Sequence, residues 1–467
     1  MGLIVVSNRI ASPSAGAAPG GLAAALYQGI SRAGGIWYGW SGKTVRDPEQ
    51  AYKPITSRLG KAEYITVDYP ERVFEGFYNG MSNAALWPIM HSRPDLMRYE
   101  DQFLDDYKSV NRSVSDNLVP LLEPNSIMWI HDYHFLMVAS YLREAGVRQP
   151  IGFFFHTPFP HRSIVECLPN HQALFEPVLA YDLLGFQTDR DLATFSEYAV
   201  QVLGAVALDA NTLQFKNTRT RLAVFPVGID VDAYSRIAEM AEHNPALGAF
   251  RRALSEVDTI IGVDRLDYSK GLPQRFAAFE RMLARHPERR NQVTFLQIAP
   301  PSRSDVEAYR DLRAELAALA GDINGRLSTL TWTPIRYTNE SYAPRSLAGF
   351  FRVSRACCVT PLRDGMNLVA KEYVASQDPN DPGVLILSSF AGAARELDAA
   401  VLVNPYDIEG MARAMDLALS MSLGERLDRW MSMIDVLRQN DVAAWFDGFV
   451  AQLKRTFPPD KAILKIA

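Results

Sequence analysis

The chain has 467 residues, more than a single hydrophobic core usually serves, so we expect two or three domains. Its composition is globular, with 48% hydrophobic and 22% charged residues, and the net charge of −5 argues against nucleic acid or an acidic membrane as the main partner. The three cysteines, Cys167, Cys357 and Cys358, form no even framework, which indicates buried thiols in a reducing compartment.

The amino-terminal run MGLIVVSNR predicts a buried strand and not a targeting segment. It lacks a basic lead, its apolar stretch is too short for a signal sequence, and Val6 stands where a myristoylation signal needs Ser or Thr. No apolar run approaches the ~20 residues of a membrane span. We therefore expect a soluble, cytoplasmic protein that binds neither membrane nor nucleic acid.

Several buried strands of the first half end in polar residues. The first strand ends in SNR, and a Gly-Gly pair opens the helix after it. The run SIMWIHDYH carries near its end an acidic residue, Asp132, that could accept from a hydroxyl or support chemistry. The run IGFFF is followed by a histidine that could contact a substrate oxygen or belong to the core. Because ligands of open α/β sheets bind at the carboxyl ends of strands, the candidates are Arg9, Gly20, Gly21, Asp132 and His156.

Two segments, IWYGWSG and GFYNGMSNAALWP, are unusually aromatic. In the first, Trp37 and Trp40 have opposite parities on a predicted strand, so one could be core while the other faces a cleft. The second carries Tyr78 and Trp87 beside asparagines. Rings and amides together are typical of sugar sites, although core packing explains each ring taken singly.

Two patterns raise the question of a metal. His131 and His134 form a His-x-x-His pair, but no third ligand stands at a recognisable spacing. Asp230 and Asp232 form the D-x-D that binds metal with nucleotide sugars in one transferase fold, a pattern that is common by chance. We predict no metal site.

Alternating strands and helices begin again after a boundary that we place near residues 230–235. The strand DTIIGV is followed by DRLDYSKG, in which Arg265 and Lys270 stand beside a glycine and the start of a helix. Such cations can grip a diphosphate. A strand predicted over 293–303 ends in Arg303, a helix follows, and TLTWTPIRY predicts another strand.

The stretch TPLRDGMNLVAKEY, residues 360–373, follows an apolar strand and leads through a glycine turn into a helix. Unpaired N–H groups at the start of a helix attract negative charge. Asp364 in the turn and Glu372 in the helix could hold a polyhydroxylated ligand, or could be solvated carboxylates of an ordinary βα unit. The whole pattern predicts two doubly wound α/β domains facing across a cleft. We place them at 1–232 and 233–444, with a helix near 445–467 that could pack back on the first.

The motifs SNR, Gly-Gly, WYGWSG, SNAALWP, WIHDYH, FFHTPFP, DRLDYSKG and LRDGMNLVAKEY occur in the order found in the trehalose-6-phosphate synthases. The chain resembles this family, which consists of retaining glycosyltransferases with two Rossmann-like domains (the GT-B type), from its first strand to the helices near residue 450. The resemblance implies transfer of glucose from UDP-glucose to glucose 6-phosphate, giving α,α-trehalose 6-phosphate and UDP. It also implies front-face attack, with no covalent intermediate and no metal or other cofactor.

The resemblance further implies site residues. Those expected to serve catalysis are His156, Arg265, Lys270 and Asp364. Those expected to bind the donor are Gly20, Gly21, Arg265, Lys270, Tyr342, Asp364, Asn367, Leu368, Val369 and Glu372. Those expected to bind the acceptor are Arg9, Trp40, Tyr78, Trp87, Asp132 and Arg303. The family's loop between Arg9 and the glycines is usually longer and more charged than ASPSAGAAP. We expect a homo-oligomer, a dimer or a tetramer.

Three alternatives stay open. One is a related transferase with another phosphorylated acceptor, such as glycerol 3-phosphate, or another nucleotide donor. Another is a variant that joins cyclitols. The third is a non-catalytic protein that binds sugar phosphates. A nicotinamide-dependent dehydrogenase is disfavoured because the G-x-G-x-x-G fingerprint is missing.

Overall fold

The computed structural model describes residues 2–10, 21–241, 248, 257–303 and 306–456. The chain divides into two units, of which the first runs to Pro226 and resumes at Val442, and the second comprises Val227–Asp441. Each unit is built on its own mainly parallel sheet, so the predicted α/β class is confirmed.

The strands of the first unit are β1 (Leu3–Arg9), β2 (Gly35–Val45), β3 (Ile55–Leu59), β4 (Ala62–Pro70), β5 (Ile127–His131), β6 (Ile151–Phe154), β7 (Leu183–Phe186), β8 (Val206–Asp209), β9 (Thr212–Phe215) and β10 (Thr218–Val224). They form one sheet in the order β3-β4-β2-β1-β5-β6-β7-β10-β9-β8. The strands from β4 to β10 in this order pair in parallel, and β3, β9 and β8 add antiparallel pairs at the edges. Apolar runs such as IVV become central strands because both faces of a parallel sheet are covered.

The strands of the second unit are β11 (Asp258–Val263), β12 (Val293–Ile298), β13 (Ile335–Thr338), β14 (Ala356–Val359), β15 (Val384–Ser388) and β16 (Val401–Val403). Their order is β13-β12-β11-β14-β15-β16, and every pair is parallel.

The α-helices whose bounds the structure gives are α1 (Leu22–Ala33), α2 (Glu71–Phe74), α3 (Trp87–Met90), α4 (Asp101–Leu118), α5 (Val138–Glu144), α6 (Arg162–Val165), α7 (His171–Phe175), α8 (Asp189–Gln201), α9 (Val231–Ala241), α10 (Leu272–Arg285), α11 (Glu307–Leu327), α12 (Pro344–Val353), α13 (Leu368–Ala375), α14 (Ile408–Ser420), α15 (Leu423–Gln439) and α16 (Val442–Arg455). None in the described part of the chain is long and apolar enough to cross a membrane.

Helix α16 packs in the first unit against the middle of the sheet. The ring of Phe449 stacks on Trp129 of β5, with centroids 4.2 Å apart. Gly152 of β6 makes room for this helix, because a Cβ atom there would lie 2.7 Å from the Phe449 ring. The last helix therefore completes the core of the unit in which the chain begins.

In both sheets the strand order reverses beside a central strand. The first chain connections move outward from β1 to β2 and β4, and the chain then returns to the other side at β5. The second sheet has the same design around β11, with β12 and β13 on one side and β14 on the other. Ligands of doubly wound sheets bind at the carboxyl ends of strands at such reversals. We therefore expect ligand-binding residues in the loops after β1 and β5 of the first unit and after β11 and β14 of the second.

Some elements differ from the sequence-based predictions. The strand predicted over 329–337 is shorter in the structure and comprises only β13. Trp332 lies before that strand and donates its indole N–H to the carbonyl oxygen of Val293 at 2.9 Å. Trp37 and Trp40, of which one could have faced a cleft, are both buried. Residues 75–86 form a π-helix, Glu75–Leu86, a rare conformation that is frequent at functional sites and that composition does not predict.

Candidate active site

In the second unit, the loops after β11 and β14 meet through a charged pair. The ammonium Nζ of Lys270 donates to Oδ2 of Asp364 at 2.5 Å, and the two side chains are 10% and 15% exposed. The amide Nδ2 of Asn367 donates to the same oxygen at 3.1 Å. Backbone atoms join the loops as well, since the N–H of Leu362 donates to the carbonyl oxygen of Ser269 at 2.7 Å. The structure thus brings together Lys270, Asp364 and Asn367 from two predicted motifs.

Helix α13 begins directly beside this pair. Asn367 has a positive φ of 84°, and its side-chain oxygen caps the helix by accepting from the N–H of Ala370 at 3.2 Å. The N–H groups of Leu368 and Val369 lie in the first turn, where a helix supplies no acceptor of its own. They are the helix-start donors that the sequence predicted for a negatively charged group.

A third loop, after β15, forms backbone hydrogen bonds with the turn that contains Asp364. The N–H of Asp364 donates to the carbonyl oxygen of Phe390 at 3.2 Å, and the N–H of Gly392 donates back to the carbonyl oxygen of Asp364 at 3.1 Å. Gly392 has to be a glycine, because a Cβ atom there would lie 1.9 Å from the carbonyl oxygen of Gly365. The small residues in this turn allow two backbones to come this close.

A buried arginine that sequence reasoning missed holds the same loops together. Arg275 of α10 is fully buried; its Nη1 donates to Oδ2 of Asp264 at 2.7 Å and to Oε1 of Gln297 at 3.0 Å. Its Nε donates to the hydroxyl of Thr360 at 3.0 Å, and its Nη2 to the carbonyl oxygen of Lys270 at 3.3 Å. Burial raises the pKa of Asp264, while the guanidinium acts in the opposite direction. The available signal was an arginine next to Phe276 on the apolar face of a predicted helix.

The other predicted cations of this unit occupy different surroundings. Arg265 is exposed in the loop after β11. Arg303 has a positive φ of 50°, and its Nη1 donates to the hydroxyl of Tyr309 at 2.6 Å and lies 3.6 Å from Oδ2 of Asp267. Tyr342 precedes α12 and packs edge-on against Phe350 with ring centroids 5.3 Å apart.

Glu372 lies inside α13 and is 8% exposed. The hydroxyl of Tyr234 on α9 donates to its Oε1 at 2.8 Å. Burial raises the pKa of Glu372, and the tyrosine hydroxyl works against that rise because it stabilises the carboxylate. The preceding residue, Lys371, points the other way and donates to the carbonyl oxygen of Val227 at 2.8 Å and to Glu396 at 2.5 Å.

In the first unit, Arg9 at the end of β1 rests on an aromatic cluster. Its guanidinium carbon lies 5.7 Å from the centroid of the Trp40 ring. Gly42 leaves space for it, because a Cβ atom there would lie 3.0 Å from Nη2 of Arg9, and Gly42 has a positive φ of 95°. The ring of Tyr78 lies 5.9 Å from that of Trp40. An exposed cation is thus held at the edge of a wall of rings.

The wall continues to Trp87. The ring of Tyr78 stacks on His134 at 6.0 Å, His134 lies 4.2 Å from the ring of Tyr133, and Tyr133 lies 5.7 Å from Trp87. The hydroxyl of Tyr133 donates to Oδ1 of Asn83 at 3.1 Å. The π-helix therefore turns Tyr78 and Asn83 towards the residues that follow β5.

Asp132 directly follows β5 and has a φ of 71°, which is strained for a residue other than glycine and is often associated with function. Its Oδ1 accepts from the N–H of His156 at 3.2 Å. The His156 ring lies beside the buried His131, with Nε2 of His156 3.0 Å from Nδ1 of His131. Burial lowers the pKa of His156 to about 3, so its imidazole is neutral at ordinary pH.

Only one glycine of the predicted pair lies among the described residues. Gly20 and the loop 11–19 lie outside the described residues. Gly21 has a φ of 77° and forms the N-cap of α1, so a glycine suits this position because its backbone is left-handed.

Across the described ranges, no group of three or more His, Cys, Asp or Glu side chains is placed to hold a metal ion. Asp230 of the D-x-D pattern caps α9, since its Oδ1 accepts from the N–H of Ala233 at 2.9 Å. The His-x-x-His pair is divided, with His131 beside His156 and His134 beneath Tyr78.

Comparisons with known proteins extend over nearly the whole chain. Residues 10–455 match Glycosyltransferase family 20. A trehalose-6-phosphate synthase of Klebsiella pneumoniae is 45% identical over 98% of this chain and 96% of its own length. The crystal structure of a UDP-forming α,α-trehalose-phosphate synthase from Burkholderia xenovorans in complex with glucose-6-phosphate has a TM-score of 0.93 and 44% identity, covering 97% of this chain and all of that one. A structure from E. coli, bound with UDP-2-fluoro glucose, has a TM-score of 0.93 and 43% identity, and the match covers 98% of this chain and all of that one.

Proposed function

This chain belongs to glycosyltransferase family 20, and from that premise we propose that it transfers glucose from UDP-glucose to glucose 6-phosphate. The products are α,α-trehalose 6-phosphate and UDP, and the fold is the GT-B type of its structural relatives. The observation that carries this conclusion is the match, over 97% of the chain, to a synthase structure that holds glucose-6-phosphate, together with a relative that holds a UDP-glucose analogue.

The loops of the second unit suit the donor. We assign the diphosphate to Arg265, Lys270 and the N–H groups of Leu368 and Val369. This assignment is supported by Lys270 lying beside the start of α13, where N–H donors and a cation converge. An ammonium has three N–H donors, so Lys270 can keep Asp364 and still bind a phosphate oxygen.

The remaining donor roles follow the same arrangement. We assign the transferred glucose to Asp364, the ribose to Glu372 and the neighbourhood of the uracil to Tyr342. A further contact to the donor is assigned to Gly20 and Gly21. The Asn367 cap fixes the start of α13 and so the direction of its N–H groups. The charge that develops on the leaving UDP is then met by groups already in position, which is a large source of catalysis.

The loops of the first unit suit the acceptor. We assign the phosphate of glucose 6-phosphate to Arg9, helped by Tyr78, and the sugar to Trp40, Trp87 and Asp132. The exposed guanidinium of Arg9 at the edge of the aromatic wall supports this assignment. Arg303 stays a prediction as an acceptor residue, and its bond to Tyr309 supports a positioned guanidinium without identifying its ligand.

We propose that the anomeric configuration is retained by front-face attack, in which the acceptor hydroxyl enters on the side from which UDP leaves. In this scheme the enzyme holds two substrates in register and stabilises charge, and no protein nucleophile is used. His156 acts as a neutral hydrogen-bonding group near the glucosyl 6-hydroxyl. With a pKa of about 3, it is not an acid that protonates the leaving group at neutral pH.

We also propose that the protein is a cytoplasmic homo-oligomer, a dimer or a tetramer. The free thiols of Cys357 and Cys358 support a reducing compartment. The edge strand β8 exposes 59% of Val206 and 46% of Leu208, which supports association. Light scattering of the purified protein would measure the mass, and a strictly monomeric mass would contradict the oligomer.

The decisive experiment is a turnover screen. UDP-, GDP- and ADP-glucose are each tested with glucose 6-phosphate and with glycerol 3-phosphate, and NMR reads the anomer of the product. We expect the pair UDP-glucose and glucose 6-phosphate to be turned over fastest and to give the α,α product. Turnover with glycerol 3-phosphate alone would overturn the proposed acceptor.

A further inference from the structure

The carboxylate of Glu372 is held by a residue far away in the sequence. Tyr234 lies 138 positions earlier, on α9, and its hydroxyl donates to Oε1 of Glu372 at 2.8 Å. A carboxylate only accepts hydrogen bonds, so the tyrosine is the donor in this pair. Glu372 is 8% exposed, which leaves little water to take the place of that hydroxyl.

Several contacts fix Tyr234 in position. The side chain of Asp230 caps α9 by accepting from the N–H of Ala233 at 2.9 Å, one residue before the tyrosine. The hydroxyl of Ser235, one residue after it, donates to the carbonyl oxygen of Ala375 at the end of α13 at 2.8 Å. The cap fixes the start of α9, and the bond from Ser235 joins α9 to α13 beside the phenol, which aims the hydroxyl at Glu372.

We propose that Tyr234 is a positioning residue for the nucleotide: its hydroxyl holds the Glu372 carboxylate in the rotamer that binds the ribose hydroxyls of UDP and UDP-glucose. This inference rests on the proposed function, which assigns the ribose to Glu372. A carboxylate has about four acceptor sites on its two oxygens. One hydrogen bond to Oε1 fixes the side chain and leaves acceptor sites for two ribose hydroxyls.

Removal of the hydroxyl should weaken only the interactions that Glu372 makes. Tyr234→Phe keeps the ring and its packing but loses the donor, so Glu372 becomes free to change rotamer. Burial raises the pKa of Glu372 and the hydroxyl opposes this rise, so the variant also loses a stabiliser of the charged form. Because a carboxylate free to change rotamer should lose about one of its hydrogen bonds to the ribose, we expect the Kd for UDP to rise about tenfold.

The test is calorimetric titration of the full-length protein with UDP and with 2′,3′-dideoxy-UDP, which has no ribose hydroxyls. For wild type we expect UDP to bind more tightly than the dideoxy compound. For Tyr234→Phe we expect the tenfold penalty with UDP and no penalty with 2′,3′-dideoxy-UDP. Tyr406→Phe, which alters an exposed tyrosine of the same unit, is the matched control and should leave both Kd values unchanged.

A double variant checks that the effect passes through Glu372. Tyr234→Phe should add no further loss of UDP affinity when Glu372→Gln is already present. An equal penalty with both nucleotides, or no penalty with either, would overturn the role of Tyr234. If wild-type protein bound no UDP at all, the proposed donor itself would be wrong, and this outcome is distinguishable from the others because it needs no variant.

Discussion

The charged pair between Lys270 and Asp364 makes a sharp test of the donor site. Substituting Lys270 by Met removes the ammonium but keeps an unbranched side chain in a place that is 10% exposed. Two effects should follow from this single change. The leaving diphosphate loses a charge partner in the transition state, and Asp364 loses the cation 2.5 Å from its oxygen.

The two effects have different magnitudes and appear in different measurements. Loss of one preorganised charge partner should lower kcat by about 10²–10³, or about 3–4 kcal/mol in transition-state stabilisation. Asp364 keeps the amide of Asn367 and is 15% exposed, so the stability cost should be modest, about 1–2 kcal/mol. For a unit of this size, that cost lowers Tm by roughly 2–8 °C.

The assay measures UDP release at saturating UDP-glucose and glucose 6-phosphate, with Tm recorded for each variant. The double variant Lys270→Met with Asp364→Asn should regain most of the Tm, because it has no carboxylate at position 364 that lacks its cation, but none of the kcat. Lys61→Met, which alters an exposed lysine, is the control. A kcat for Lys270→Met within about threefold of wild type would refute the assignment of Lys270 to the diphosphate.

Three further predictions concern other parts of the structure. Gly42→Ala should raise the KM for glucose 6-phosphate about tenfold, since its methyl group would press on Arg9; an equal rise in the KM for UDP-glucose would contradict this. Arg275→Met should lower the free energy of unfolding by about 3–5 kcal/mol by leaving Asp264 without its buried partner, and a Tm within 2–3 °C of wild type would be inconsistent with that. His156 has a pKa of about 3 in the folded protein and about 6.5 in the unfolded chain. Between these two pH values only the unfolded chain binds a proton at His156, so the free energy of unfolding decreases as the pH falls from about 6.5 towards 3. When the pH is lowered from about 7.5 to about 5.5, the free energy of unfolding of His156→Gln should therefore fall by about 1 kcal/mol less than that of wild type, as measured by thermal unfolding. Equal decreases in the two proteins would refute the neutral imidazole.

The parts of the site that the sequence predicted are those that depend on local pattern. An apolar run that ends in a glycine turn and enters a helix predicts where N–H donors lie, and α13 begins as that pattern requires. The carboxyl ends of parallel strands lie at one edge of a sheet, which is why Lys270 and Asp364 could be expected to meet. For Arg9 the same argument gave the correct strand end. The sequence pattern did not predict that Trp37 and Trp40 are both buried.

The parts that escaped prediction depend on contacts between distant residues. The bond between Tyr234 and Glu372 joins residues 138 apart, and no local pattern distinguishes this tyrosine from a surface one. The π-helix is set by packing against α4, where a Cβ atom on Gly76 would meet Asp106 at 2.2 Å. In the sequence Arg275 resembles an ordinary arginine on a helix surface, but in the fold it is surrounded by β12 and by the loops after β11 and β14.

Helix α13, which carries residues proposed to bind UDP-glucose, is fixed in rotation by two neighbouring charged side chains. Glu372 is bound to Tyr234 on one side, and Lys371 donates on the other side to Val227 and Glu396. Burial lowers the pKa of Lys371, and Glu396 counteracts this by raising it. Successive helix residues are about 100° apart, so two anchored neighbours leave the helix little freedom to turn about its axis. The direction of the N–H groups at its start therefore depends on both side chains, so the site proposed for the diphosphate is shaped by residues one turn further along the helix.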